Sequence, residues 1–231
     1  MNKIILSGNG KMGKILQDLA PNHNCEIVKI LDKKEDWEEL FQRTPKDQVI
    51  IDFSTPDVVL SNIRNAFRLN LPIVVGTTGW HQYLEEIKQE CQTQNGSLVF
   101  AFNFSIGMNL FFKLNKFLGK LMHPYESYKV SIEEIHHTQK LDSPSGTAIS
   151  LSQQLEELFQ NHNQSIDIKA FREGNVSGIH KIIYKGIEDE ISIRHEAYNR
   201  HGFANGALLA ANWIKDKRGF HNFADIIFND D

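Results

Sequence analysis

Lys3-Ile4-Ile5-Leu6-Ser7-Gly8-Asn9-Gly10-Lys11-Met12-Gly13 is the stretch that decides the fold. A short apolar run ends in a glycine-rich turn, and Ile15, Leu16 and Leu19 follow at helical spacing. Runs of this kind are buried in parallel sheets, whose strands are covered on both faces. The turn reads G-x-G-x-x-G between strand and helix, the context in which that pattern carries meaning. Gly8 allows the tight turn, Gly10 lets a pyrophosphate approach the backbone, and Gly13 lets the helix pack closely on the strand. The helix start adds N–H donors and the positive end of a dipole. Gly8, Asn9, Gly10, Lys11, Met12 and Gly13 are therefore predicted to contact a dinucleotide.

Working outward, Glu26 to Leu31 reads as a second strand ending at Asp32, where an acid that binds the ribose hydroxyls is expected, roughly 20 residues past the glycines. Lys33 and Lys34 pull the other way, since a lysine attracts the extra phosphate of NADPH that a carboxylate repels. Use of both NADH and NADPH is predicted, with NADH at least as good. Strands follow at Gln48–Phe53, Leu71–Val75 and Ser97–Ala101, alternating with helices at Glu35–Arg43, Val58–Leu69 and His81–Gln94. This alternation predicts a doubly wound parallel sheet of Rossmann type, with ligands beyond the carboxyl ends of its strands. Gly76, Thr78, Ala101, Asn103 and Phe104 fall in those turns and are expected at the nicotinamide end.

After Gly107 the pattern changes. A helix over Leu110–Leu121, a polar run, a second helix through Leu151 and Leu155, and three strand-like runs at Ile166–Phe171, Gly178–Tyr184 and Glu188–Ala197 predict a smaller α+β domain. Ile191, Ile193 and His195 alternate with Glu190, Ser192, Arg194 and Glu196, so its sheet should be apolar on one face and charged on the other. The chain then returns through a helix at Leu208–Ile214 and an amphipathic piece at Phe220–Phe228. The expected domains are residues 1–104 completed by 204–231, for the dinucleotide, and residues 105–203, for substrate and oligomerisation. Hinges are expected near Asn103–Gly107 and Asn199–Phe203.

The polar run, from Glu133 through His136, His137, Lys140, Asp142, Ser143, Pro144, Ser145, Gly146 and Thr147 to Ala148, is denser in reactive side chains than any other. It lies on a strand-to-helix turn. Ser143 and Pro144 are predicted as cap and first helical residue, leaving the N–H groups of Gly146 and Thr147 open to an anion. Two histidines and a lysine before such a turn suit a small carboxylate that is both gripped and protonated. Adjacent strand residues point to opposite faces, so His136 and His137 are not expected to share a metal ion. Arg172-Glu173-Gly174 and Gly178-Ile179-His180 are turn elements within reach of the site, and in isolation they read as ordinary hairpin residues.

The 231 residues carry a formal net charge of -4 and no block of Lys or Arg, which argues against nucleic acid or an anionic membrane as partner. Cys25 and Cys91 match no metal or redox spacing and fit a reducing compartment. The N-terminus shows no basic and apolar leader, and no apolar run approaches spanning length, so a cytoplasmic enzyme is expected.

Taken together, the glycine-rich turn, Asp52-Phe53-Ser54-Thr55-Pro56, Gly76-Thr77-Thr78-Gly79, Asn103-Phe104-Ser105-Ile106-Gly107, the run His136-His137-x-x-Lys140-x-Asp142-x-Pro144-Ser145-Gly146-Thr147-Ala148, and Phe203-Ala204-Asn205-Gly206-Ala207 resemble the dihydrodipicolinate reductase family of the diaminopimelate route to lysine. The resemblance implies a two-domain subunit in a homotetramer that reduces a cyclic dicarboxylate, 4-hydroxy-tetrahydrodipicolinate, with NADH or NADPH and releases water. It implies His136 as proton donor with Lys140 as partner, His137, Lys140, Gly146 and Thr147 on the substrate carboxylates, and Arg200 near the cofactor. Asp32 stands where the family commonly has a longer glutamate. Two other functions fit the residues alone: another two-domain nicotinamide-dependent reductase of a small carboxylate, and a non-catalytic NAD-sensing protein.

Overall fold

Strand β1 (Asn2–Ser7) sends alternate side chains into two different cores, and this sets the layers of the first half. In the computed structural model, which describes residues 1–43, 46–159 and 166–228, Ile4 and Leu6 join one apolar cluster and Ile5 the other. The same division runs through β3 (Gln48–Asp52), where Val49 and Ile51 face one side and Ile50 the other, and through β4 (Ile73–Val75) and β5 (Ser97–Phe100). A period of two with both faces apolar is what a sheet covered on both sides requires.

The order of this sheet is β10-β5-β4-β3-β1-β2, all parallel, with β2 at Cys25–Leu31 and β10 at Gly219–Asn222. Helices α1 (Lys11–Leu19), α2 (Lys34–Arg43), α3 (Val59–Arg68) and α4 (Leu84–Thr93) make the crossovers. The chain winds one way from β1 to β2 and the other way from β3 onward. A crevice therefore opens where β1 and β3 end, the place at which such sheets take their ligands. The sequence pattern missed β10. Its four residues are only half-buried, and they pair with β5 before the short α8 (Phe223–Phe228).

Helix α5 (Ile106–Met122) leads to a second sheet, ordered β7-β6-β8-β9, built from β6 (Lys129–His136), β7 (Asp167–Arg172), β8 (Ile179–Lys185) and β9 (Glu190–Glu196). β6 and β7 are parallel and joined through α6 (Gly146–Phe159), while β8 and β9 add antiparallel strands. One face packs Val130, Ile132, Ile182 and Tyr184 against Phe111 of α5 and Leu151 and Leu155 of α6. The chain divides into two compact units, residues 1–106 with 201–231, and residues 107–200. In the first, α7 (His201–Ile214) packs against α1 and the sheet.

Two details depart from the sequence reading. The registers place Glu134, His136, His180 and His195 on the packed face of the second sheet, and line up Phe171, Ile135 and Ile179 on its outer face. The faces are thus not simply apolar and charged. Helix α6 also begins after Pro144 instead of on it. Its cap is Ser145, whose hydroxyl accepts the Ala148 N–H at 3.2 Å, and Ser143 and Pro144 belong to the preceding loop.

Gly206 in α7 shows how closely elements approach in the first unit, since a Cβ there would stand 1.8 Å from the Phe104 carbonyl oxygen. A Cβ on Gly146, at the start of α6, would meet nothing within 4 Å. Gly206→Ala should cost about 1–3 kcal/mol or more, the usual size of overpacking, whereas Gly146→Ala should change stability by less than about 1 kcal/mol. Thermal melting of the two variants beside the parent chain checks the contrast.

Candidate active site

In the first unit the glycine-rich turn is held from below. The Gly8 N–H donates to the Leu31 carbonyl at 3.0 Å, and the Phe53 N–H donates to the Ser7 carbonyl at 2.9 Å. Gly8 has φ of 96°, and a Cβ there would lie 2.4 Å from the Phe53 carbonyl oxygen, so only glycine fits. A Cβ on Gly13 would meet the Gly8 carbonyl oxygen at 2.3 Å, and above Gly10 there is open space. Behind the turn, the fully buried Asp52 accepts from the Thr77 hydroxyl at 2.6 Å, the Ser54 hydroxyl at 2.8 Å and Asn62 Nδ2 at 2.7 Å. Asn62 Nδ2 also lies 3.1 Å from Ser7 Oγ, which ties β1 to β3 at the crevice.

A cleft of about 740 Å³ adjoins the turn, lined by Gly10, Asp32, Lys33, Trp37, Ser54 and Arg68 among others. Asp32 Oδ1 accepts the Asn9 N–H at 3.4 Å, so the acid stands beside the glycines. The Asp36 carboxylate accepts the N–H groups of Asp32 and Lys33, both at 2.8 Å, and these bonds hold it below the usual carboxylate range. An open cradle at Gly10, backbone donors at the start of α1 and an acid within reach make up the donor set a dinucleotide requires. Gly76 packs against the Phe53 ring, and Thr78 is exposed. Ala101 and Phe104 are buried, Asn103 Oδ1 accepts the Ser105 N–H at 2.8 Å, and Arg200 is an exposed residue at the end of the second unit.

The second unit holds a polar cluster inside its sheet. Period two along β6 puts Glu134 and His136 on the packed face, and the register sets His180 of β8 opposite Glu134. Glu134 is fully buried. Its Oε1 accepts the Ser145 N–H at 3.0 Å and two bonds from Arg172 at 3.2 and 3.3 Å, and its Oε2 accepts the Ser145 hydroxyl. Glu134 Oε2 also lies 3.4 Å from His136 Nδ1 and 3.6 Å from His180 Nε2. These three side chains are close enough to ligate a cation. A guanidinium on one carboxylate oxygen and a hydroxyl on the other mark the cluster instead as a charged hydrogen-bonding network.

The loop after β6 carries the remaining predicted residues. Lys140 Nζ pairs with Asp142 Oδ1 at 2.8 Å, His137 is half-buried, and Gly146 and Thr147 open α6 with Gly146 exposed. His136 is buried, and a Cβ on Gly178 would come within 3.1 Å of its Nε2, so that edge of the ring stays clear only because the neighbour is glycine. Burial opposes the charge on Glu134, but the hydroxyl and N–H of Ser145 and the two histidines outweigh it and hold the carboxyl below its usual range. Burial lowers His136, against the pull of Glu134. Burial, with His136 beside it, pushes His180 down to about 4.

Three comparisons now bear on this geometry. A family model described as the N-terminus of dihydrodipicolinate reductase matches residues 2–104, and one described as its C-terminus matches residues 107–227. The chain belongs to the dihydrodipicolinate reductase family. It is 41% identical to a 4-hydroxy-tetrahydrodipicolinate reductase of Christiangramia forsetii over 97% of each chain, and 34% identical to that of Rickettsia bellii over 97% of this chain and 94% of the other. A solved dipicolinate-bound dihydrodipicolinate reductase of Paenisporosarcina sp. TG-14 superposes with a TM-score of 0.79 at 26% identity, covering 96% of this chain and 97% of that one.

Within this family fold, the second unit brings His136, Lys140, Gly146 and Thr147 onto one strand, loop and helix start. Sequence reading gave no role to Glu134 and placed Arg172 and His180 in turn elements within reach of the site. They end β7 and begin β8, facing inward. The available signal was the alternation Val130, Ile132, Glu134, His136, which continues an apolar face into charged residues. In the folded chain His180 takes up a proton only near pH 4, whereas a solvated imidazole does so near 6.5. Between these values the unfolded chain binds more protons, so stability should fall by a few kcal/mol as pH drops through that window. Melting between pH 7.5 and 5 should show this loss, and His180→Gln should flatten it.

Proposed function

We infer that the chain reduces 4-hydroxy-tetrahydrodipicolinate to tetrahydrodipicolinate with NADH or NADPH, releasing water, and that His136 is its proton donor. Membership of the reductase family over both parts of the chain supports the reaction. The observation that carries the assignment of roles is a buried imidazole, His136, set by β6 just ahead of a lysine-bearing loop and a helix start whose Gly146 N–H is met by the exposed Asp142 carboxylate. When bound, the dihydronicotinamide supplies a hydride. The first unit holds the dinucleotide: the N–H groups of the Gly8–Gly13 turn take the pyrophosphate, and Asp32 takes the ribose hydroxyls.

Hydride arriving at a conjugated ring leaves electron density that must be protonated, and an imidazolium is an acid of suitable strength. Burial disfavours the charged ring of His136 in the free chain. A substrate bearing two carboxylates adds negative charge beside it and favours the proton. Lys140 leaves its half-exposed pair with Asp142 at small cost, since such pairs are screened, and neutralises one carboxylate. The N–H groups of Gly146 and Thr147, with His137, take the other.

The chain is proposed to work in the cytoplasm as a homotetramer. No helix among the described residues is long and apolar enough to cross a membrane, and both cysteines are free. In support of self-association, α5 exposes Leu110, Leu114, Phe117 and Leu121 along one side, and Phe171 is 42% exposed on the outer face of the second sheet.

NADH supplied with the fresh condensation product of pyruvate and aspartate semialdehyde should be oxidised, with loss of the nicotinamide absorbance band. Unchanged absorbance while NADH still binds would refute the reaction. His136→Gln and Lys140→Ala should each lower turnover by about 100-fold or more, the size of a lost general acid. Lys33→Ala should weaken NADPH relative to NADH, read as the ratio of dissociation constants from nicotinamide fluorescence.

A further inference from the structure

Every element of the substrate site in the second unit ends on one carboxylate. β6 places Glu134 two residues before His136 on the same inner face, with Oε2 3.4 Å from His136 Nδ1. The start of α6 reaches Glu134 twice through Ser145, by its N–H and by its hydroxyl, and that hydroxyl also caps the helix at the Ala148 N–H. The Ser145 N–H is thus taken inward, and the next amide, that of Gly146, meets the Asp142 carboxylate of the Lys140 loop. β7 reaches Glu134 through Arg172, and the same guanidinium donates to the carbonyls of Lys140 at 3.4 Å and Asp142 at 2.5 Å. The loop carrying Lys140 is thus pinned through Arg172 to the carboxylate that touches His136. A fully buried carboxylate persists only when its oxygens are met by donors, and here those donors come from the strand, helix and loop that form the site.

We propose that Glu134 is the positioning residue of the substrate site: as a carboxylate it holds the ring of His136, the first amides of α6 and, through Arg172, the Lys140 loop in one arrangement, and it sets the charge that His136 experiences. The inference rests on the reading of His136 as proton donor. The charged and titratable groups facing His136 are Glu134 on its own strand, His180 on β8 with His195 of β9 beyond it, Arg172 on β7, and Lys140 and Asp142 on the loop. Glu134 and Asp142 favour the imidazolium, whereas Lys140 and Arg172 oppose it. Removing the charge of Glu134 and removing that of Arg172 therefore act on His136 in opposite directions.

The test follows the ring C–H resonance of His136 through a pH titration of the ligand-free chain, assigned by its loss in His136→Gln, together with the pH profile of kcat/KM. Glu134→Gln keeps the shape of the side chain. It should move the His136 midpoint to lower pH by about one unit, the size of a lost opposite charge at this range. Because the protonated ring is the active form, the alkaline limb of kcat/KM should move the same way, with kcat falling at least tenfold. Arg172→Met should move the midpoint to higher pH and raise KM as the Lys140 loop is released. A merely structural Glu134 would lower melting temperature in both variants and leave both midpoints at the parent value, and that result overturns the proposal. If Glu134→Gln yields no folded protein, Glu134→Asp decides: drawing the carboxylate back from the ring should lower the His136 midpoint, and an unmoved midpoint overturns the proposal. A parent chain that oxidises no NADH but shows both shifts would refute the assigned reaction and leave the coupling standing. Normal turnover with unmoved midpoints would refute the coupling alone.

Discussion

A parallel sheet survives only when both of its faces are covered, and the first unit is the working-out of that constraint. Ile4 and Leu6 need one layer of helices, and Ile5 needs another. One turn must therefore feed a strand into a helix without leaving room for side chains. Gly8 and Gly13 meet that demand where backbone approaches backbone within 2.4 Å of a notional Cβ. The tightness that closes the layers also leaves N–H groups facing outward above Gly10. The features that make the fold possible thus also prepare a place for an anion, and the buried Asp52 network behind it keeps β1, β3 and the β4 turn in register.

The second unit solves a different problem. Its sheet is packed on one face only, and at one end of that face the apolar rows of Val130, Ile132 and Ile182 give way to Glu134, His136 and His180. Putting a charge there has a cost, which Ser145 and Arg172 offset with hydrogen bonds. The outcome is a polar cluster that is rigid because it is buried. Its members are held by partners from four separate segments, and this suits the geometric accuracy that proton transfer and carboxylate recognition require.

The two histidines of this cluster differ by environment and not by type. His180 is enclosed and driven toward the neutral form, while His136 keeps one edge clear beside Gly178 and feels the Glu134 carboxylate directly. Burial lowers both rings and Glu134 pulls each the other way, so the two differ in how deeply each is enclosed. The Lys140 pair with Asp142 is by contrast half-exposed and screened by solvent.

Local pattern was enough to read the layers of the first unit, because strand period, glycine spacing and helix spacing are all short-range signals. The alternation from Lys3 through Ala101, the glycine-rich turn and Asp32 beyond the second strand were legible for that reason, as was the density of ionisable groups between His136 and Thr147. Strand β10 was not, since its four half-buried residues become a strand only by pairing with β5, more than a hundred residues earlier in the chain. The helix cap was misread as Ser143 because propensity cannot tell which of two serines flanking a proline will meet a buried carboxylate, and Glu134 chose Ser145. Beyond the alternation that sets Glu134 on the face of His136, nothing local to Glu134, Arg172 or His180 says that they meet. Only the registers of β6 with β7 and β8 gather them around His136, because a charge network is defined by distance in space, and chain order says nothing of which strands will lie side by side.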